Sequence, residues 1–381
     1  MKYKLRLPSF LAKDRRRQAI TAALLLAVGL ATIGGVVLAT SGSSDSPEAT
    51  ATPVATSTRT PTPTAPPTEP TLIDGVLVYP EELAEMETRL PLAVMLDNLA
   101  EGARPQVNLD KADLVFEAVA EGGITRFLAV YWRNDPGVME SVRSARAYYL
   151  DWAAELDAIF VHWGFATSEG AADVPSAISR LGLRDLDGFF YEEPLFERDP
   201  NRAGPHDGIA NSGALWDQAA KNGWDGPPAI VPWTFKEDDP ARARDPGAAT
   251  ADTIDLGFGG PFFSDYAVRW TYAPRTNSYE RTMGGAPHEG GASGERITAK
   301  NVAVMVTDVW SADDNTAHLL YRTTGEGQAV VFQDGVTIEG SWAKASASER
   351  TRFYDAEGKE IAFNRGQTWV EVLAVSDPLS Y

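Results

Sequence analysis

Residues 113–132 read DLVFEAVAEGGITRFLAVYW. The runs 113–120 and 126–132 are short, apolar and rich in β-branched and aromatic residues, so each is read as a strand. Gly122 and Gly123 between them permit a tight turn that folds Glu121 toward Arg126. If 113–120 is extended, Glu117, Val119 and Glu121 share one face. The two carboxylates then stand ~13 Å apart at ~3.3 Å per residue. That separation is too wide for an acid and a base acting on one bond.

Working outward, LPLAVML (90–96) and AIFVHW (158–163) have the same strand character. SARAYYLDWAAELDA (144–158) places Ala145, Tyr148, Tyr149, Trp152 and Leu156 at helical spacing, with Ser144 as its expected N-cap. Helices are also expected at 168–182 and 211–223, each ending in glycine. Strands alternating with helices over 75–235 imply a mixed sheet with helical cover. After the polar break KEDDPARARDPGAAT (236–250), residues 251–381 read as β-rich. Their strands are AVRWTYA (267–273), NVAVMVTDVW (301–310), AHLLYRT (317–323), QAVVF (328–332), VTIEGSW (336–342) and WVEVLAV (369–375). Asp334-Gly335 between two of them is a hairpin signal. The fold class expected is α+β, a layered sandwich. A helix-covered mixed sheet forms its first half, and the β-rich second half is either a separate lobe or a sheet layer packed on the first; one transmembrane helix and a disordered linker precede them.

The linker and span follow from charge. The chain has 381 residues, a net charge of -19 and no cysteine. Seven basic residues against Asp14 give 1–18 a net +6, and 19–40 are uncharged, so the residues after Thr40 carry -25. The uncharged run is long enough to cross a hydrocarbon core, which takes roughly 20 residues as a helix. The basic flank places 1–18 in the cytoplasm and the bulk of the chain outside, as a single-pass protein of the cell membrane. Val37-Leu38-Ala39 fits a cleavage rule, but the run exceeds the roughly 7–15 apolar residues of a signal peptide. Residues 41–70 have Thr, Pro, Ser or Ala at 24 of 30 positions and read as a disordered spacer. The absence of cysteine excludes disulfides, a thiolate nucleophile, cysteine-bound zinc and a lipidated cysteine. The acid excess excludes nucleic acid as a general partner.

Candidate functional residues are Glu117, Glu121, Arg126, Arg143, Ser144, Arg146, His162, His206 and His288. Arg143-Ser144-Ala145-Arg146 puts two guanidinium groups beside a helix start, an arrangement suited to a phosphate or carboxylate. His162 ends an apolar strand, where α/β proteins often place functional groups. Pro205-His206-Asp207-Gly208 and Pro287-His288-Glu289-Gly290 repeat one turn pattern in the two halves. The competing reading is an ion cluster that only stabilises the sheet end. The chain lacks HExxH, GxSxG, a P-loop and a dinucleotide fingerprint, so no metal, cofactor or catalytic residue is assigned.

The run ARPQVNLDKADLVFEAVAEGGITRFLAVYW, then VRSARAYYLDWAAELDAIFVHWG and AGPHDGIANS, resembles the YerB-like family of bacterial extracytoplasmic proteins. WTYAPRTNSYERTMGGAPHEGGASGERITAKNVAVM, GQAVVFQDGVTIEGSW and NRGQTWVEVL extend the resemblance over about 75–377. It implies a layered α+β domain of unknown function, in many members lipid-anchored, with the nine candidates above at motif positions. The chain departs in lacking a lipobox cysteine and in having Glu289 after His288. The expectation is a membrane-anchored envelope protein that binds a cell-wall polymer or other envelope proteins. The alternative is an envelope hydrolase with a His/Glu/Arg site, with or without help from a metal ion.

Overall fold

The structure, a computed structural model, describes residues 68–167, 169–259, 264–312 and 317–381. From the first half come β1 (Leu92–Asp97), β2 (Leu114–Glu121), β3 (Ile124–Tyr131), β4 (Ile159–His162) and β5 (Arg184–Asp187). The second half begins with β6 (Thr253–Leu256), β7 (Val268–Ala273) and β8 (Ser278–Met283). It continues with β9 (Asn301–Thr307), β10 (Gly325–Gln333), β11 (Val336–Lys344), β12 (Arg352–Asp355) and β13 (Thr368–Ala374). Helices α1 (Pro80–Met86), α2 (Ala147–Ala154), α3 (Val174–Leu181) and α4 (Ser212–Lys221) are seven to ten residues long.

Ten strands form one sheet in the order β12-β11-β10-β9-β13-β2-β3-β1-β4-β5, five from each half. The halves meet where β13 runs parallel to β2, with Glu371 opposite Glu117. The central strands are buried on both faces, which is why their sequences are nearly unbroken apolar runs. Alternation still sorts their side chains. Leu92, Val94, Val115, Phe127, Val302 and Trp369 pack on one face. Ala93, Met95, Phe116, Leu128, Ala303 and Val370 pack on the other. The first face is covered by α4 and, over the second half, by the sheet of β6–β8 through Ile254, Trp270 and Tyr279. The second face receives α1–α3 through Met86, Tyr149, Trp152 and Val174.

Local signals account for several boundaries. Asp173 accepts a hydrogen bond from the Ser176 amide at 2.9 Å and starts α3, which ends at Gly182 with φ 63°. Asn211 caps α4 through the Ala214 amide at 3.1 Å. Between β10 and β11, Asp334 and Gly335 both have positive φ, 57° and 72°, the sign that a two-residue hairpin turn needs.

The fold class expected from sequence, a helix-covered sandwich behind a transmembrane helix, is corrected in three respects. The protein is dominated by strands and has only four short helices among the described residues. The second half is not a separate lobe, because β9–β13 continue the sheet begun by β1–β5, and the sheet of β6–β8 lies on it as a layer. The expected transmembrane helix is not supported: among the described residues no helix is long and apolar enough to cross a membrane. Residues 19–40 lie outside the described residues, as does the expected linker up to residue 67. Its last two residues, Glu69–Pro70, pair with Leu77–Val78.

Two local expectations also change. Helix α2 begins after Arg146, not at Ser144. Residues 142–145 are held extended by backbone hydrogen bonds from Arg143 N to Met95 O (2.9 Å), Trp163 N to Arg143 O (3.0 Å) and Ala145 N to Gly164 O (2.9 Å). In β2, a bulge between Val119 and Glu121 shifts the register. Glu121 therefore leaves the face that carries Glu117.

A sheet continuous through both halves predicts one cooperative unfolding transition by scanning calorimetry. Trp369→Ala, at the fully buried junction, is expected to lower stability by about 3–5 kcal/mol while leaving that transition single. Two resolved transitions would contradict the shared core.

Candidate functional site

The end of β1 divides two clusters. Consecutive residues of a strand point to opposite faces, and Asp97 and Asn98 join different groups. Asp97 is nearly buried, with its side chain 3% exposed. Its carboxylate meets His206 Nδ1 at 2.6 Å, Arg143 Nε at 3.2 Å and Arg126 Nε at 3.9 Å. Arg126 Nη1 donates to Ser144 O at 2.6 Å, and Arg146 Nη1 donates to the carbonyls of Ser144 (3.2 Å) and Ala145 (2.8 Å). Glu121, re-aimed by the bulge, pairs with Arg146 and stands 3.9 Å from Arg126 Nη2. Arg143 Nη1 reaches Ser144 Oγ at 3.4 Å.

Three guanidinium groups thus surround two carboxylates. Arg143, Glu121 and His206 are partly open to solvent, whereas Arg126 is nearly buried. Burial alone would raise the Asp97 carboxyl. The His206 hydrogen bond and the charges of Arg126 and Arg143 outweigh it and hold the pKa at about 2. Burial, helped by neighbouring Arg146, pushes the Arg126 guanidinium down to about 10. Arg126 Nε is buried with no hydrogen-bond partner. The hydrogen bond to Asp97 assigns the His206 proton to Nδ1 and leaves Nε2 as the ring's second polar atom.

Asn98 belongs to the inner cluster. Its Nδ2 donates to Thr125 Oγ1 at 2.7 Å and Glu117 Oε1 at 3.4 Å, while its Oδ1 accepts from Arg104 Nε (2.8 Å) and Gln106 Nε2 (3.1 Å). Glu117 is fully buried, bound by Arg281 and by Thr125 Oγ1 at 2.6 Å. Glu371, its partner across the strand junction, lies 3.7 Å from Arg281 and accepts from Trp270 Nε1 at 2.9 Å. Arg281 sits 4.5 Å from the Trp369 ring centre and 5.5 Å from that of Trp270. Burial raises Glu117 well above the usual carboxylate range, and Glu371 adds to this against the pull of Arg281. His288 contacts Arg281 and Gln106; burial and the charges of Arg281 and Arg104 hold it well below the usual histidine range.

The structure thus gathers Glu121, Arg126, Arg143, Ser144, Arg146 and His206 in one partly open cluster. It places Glu117 and His288 in the buried one. His162 joins neither. It is buried, with Nδ1 2.7 Å from Gly164 O and Nε2 2.6 Å from Asp185. Burial lowers its pKa, but the Asp185 and Asp187 carboxylates outweigh this and raise it. Sequence reasoning missed Asp97, Asn98, Gln106, Arg281 and Glu371. Glu371 carried a signal, since a carboxylate inside the apolar run WVEVLAV needs a buried partner. Asp97 carried a weaker one, a charge ending the run LAVML. Among the described residues, no three His, Asp or Glu side chains are placed to hold a metal ion.

The chain matches the model described as the N-terminal domain of the protein of unknown function DUF3048 over residues 79–225, and that of its C-terminal domain over 260–370. This chain belongs to the DUF3048 family. A relative named "Putative lipoprotein YerB", from Bacillus subtilis (strain 168), is 27% identical over 296 residues, covering 77% of this chain and 83% of that protein. The crystal structure of YerB protein from Bacillus subtilis superposes with a TM-score of 0.69 at 23% identity, over 82% of this chain and 99% of that one. The fold is therefore shared across the DUF3048 match, whose two parts build one sheet here.

The depressed Asp97 pKa has a definite sign. Its folded value lies below the unfolded one, so its stabilisation is complete at neutral pH and is lost as pH falls from about 5 to about 2. Asp97→Asn is expected to cost about 2–3 kcal/mol at pH 7 and to approach wild-type stability near pH 2, measured by urea unfolding across pH. A pH-independent difference would refute this assignment.

Proposed function

We propose that this protein works at the outer face of the membrane as a binding or accessory protein, and that the Arg126–Arg143–Arg146 cluster captures a phosphate- or carboxylate-bearing cell-wall polymer. The observation that carries the reading is Arg126 Nε, buried without a hydrogen-bond partner and 3.9 Å from Asp97, inside a cluster with more guanidinium groups than carboxylates. A buried donor without a partner costs about 1–3 kcal/mol, and an anionic ligand would satisfy it. Planar guanidinium groups also suit bidentate contact with phosphate and carboxylate oxygens. The location is supported by the charge division of the sequence and by the naming of the Bacillus relative as a lipoprotein.

A second reading, an envelope hydrolase, is favoured by the Asp97–His206 pair. A carboxylate that fixes Nδ1 leaves Nε2 to act as a base toward water, with the arginines holding the anionic group. The sequence reading gave this role to Glu117 or Glu121 with His162 or His206. The geometry favours Asp97 with His206.

Titration calorimetry with a polyglycerol-phosphate polymer tests both readings. Arg143→Ala, at a partly open side chain, is expected to weaken binding at least tenfold and to reduce its salt dependence. Unchanged affinity would defeat the binding site. Phosphoester turnover that disappears in His206→Ala would establish the hydrolase, and absence of turnover in the wild type would dismiss it.

A further inference from the structure

After β5 the chain turns through Phe189-Phe190-Tyr191-Glu192-Glu193. Phe189 is 68% exposed and Phe190 78%, the most exposed aromatic side chains among the described residues. The turn is fixed in place. Asp187 Oδ1 accepts from the Gly164 amide (2.7 Å) and the Phe189 amide (3.0 Å), and the Gly188 amide donates to His162 O (2.9 Å). The Phe189 ring lies so close over Gly164 that a Cβ there would meet it at 2.3 Å. Two aromatic rings are thus held in solvent by a rigid turn, the pattern of an interface anchor.

Beside the turn lies a cleft of about 730 Å³, walled by Trp163, Phe189, Tyr191 and Phe196. Glu192, Glu193 and Glu197 line it and are exposed. The one basic residue lining it, Arg198, is already engaged. Its guanidinium stacks 3.7 Å from the Trp163 ring centre and donates to Asp207 at 2.6 Å. The cleft therefore offers apolar rings with a surplus of carboxylates, and one of its walls already holds a cation.

We propose that the Phe189–Glu193 turn and its cleft dock a basic, apolar-bearing segment of another protein. Lysine or arginine side chains would meet Glu192, Glu193 and Glu197, and apolar side chains would cover Phe189 and Phe190. Charge selects this occupant over the others. A symmetric contact with a second copy would set the same carboxylates against each other, on a chain already at -25 after Thr40. An anionic wall polymer would be repelled by the same groups. The net charge would also steer a cationic partner toward the protein. The proposal does not depend on the arginine cluster being a ligand site.

The test uses the full chain and a fluorescein-labelled 14-residue peptide of alternating lysine and leucine, with a glutamate-for-lysine peptide as control. Phe189→Ser/Phe190→Ser is expected to weaken the lysine peptide at least tenfold without moving Tm, because both rings are exposed. Glu192→Gln/Glu193→Gln should weaken it several-fold and flatten its salt dependence, and Arg143→Ala should leave it unchanged. Equal binding by both double variants and wild type would overturn the proposal. So would equal affinity for the glutamate peptide, or loss of binding in Arg143→Ala. Self-association of the wild type in the ultracentrifuge that vanishes in the phenylalanine variant would assign the patch to a second copy instead.

Discussion

Glu117 and Glu371 stand side by side where the two halves of the sheet join, both shut away from water, with Arg281 reaching them from the second layer. Two carboxylates and one guanidinium in a dry interior cannot all be satisfied as ions. The raised Glu117 pKa expresses this: burial and the neighbouring Glu371 carboxylate outweigh the pull of Arg281. Trp369, Trp270 and Phe127 wall in the arginine and exclude water that would otherwise screen the group. Such a cluster adds little net stability against an apolar equivalent, but loss of one partner leaves an uncompensated buried charge, at about 3–5 kcal/mol. It therefore penalises any packing in which β8 or β13 is misplaced against β2.

The same group reaches the partly open cluster through one dipeptide. Asn98 hydrogen-bonds toward Glu117, and Asp97 gathers His206, Arg143 and Arg126. Arg202 fixes the intervening loop by donating to the carbonyls of Ala103 (2.8 Å) and Pro105 (2.8 Å). Gln106 closes the circuit, with its amide on Asp97 O (2.9 Å) and its carbonyl on His288 (3.0 Å). The arginine cluster is thus supported by the second half of the chain, although none of the six candidate residues in it comes from there.

What could be read from sequence was what local physics fixes. The Asp334-Gly335 turn, the Gly182 and Asn211 helix ends and the apolar strands need only neighbouring residues, and they lie where the residues point. The pairing of β13 with β2 involves strands far apart in the chain and leaves no local trace, so the sequence leaves the second half open as a lobe or a packed layer. Ser144 looked like an N-cap by its side chain, yet backbone bonds to β1 and β4 keep it extended. The candidate residues were picked largely by charge and position, and six of the nine do converge. Their organiser, Asp97, looked like no more than the last residue of a strand. Arg281 shares one face of the strand SYERTM with Tyr279 and Met283, which points it inward, but nothing local names the buried carboxylates it meets.

Native-state hydrogen exchange of β2 and β13 tests the central claim, that the Glu117–Glu371–Arg281 group locks the two halves into one cooperative sheet. Amides of the two strands should open with the same free energy as global unfolding, and Arg281→Met should lower both together. Opening of β13 at a smaller free energy, with β1–β3 still protected, would contradict it.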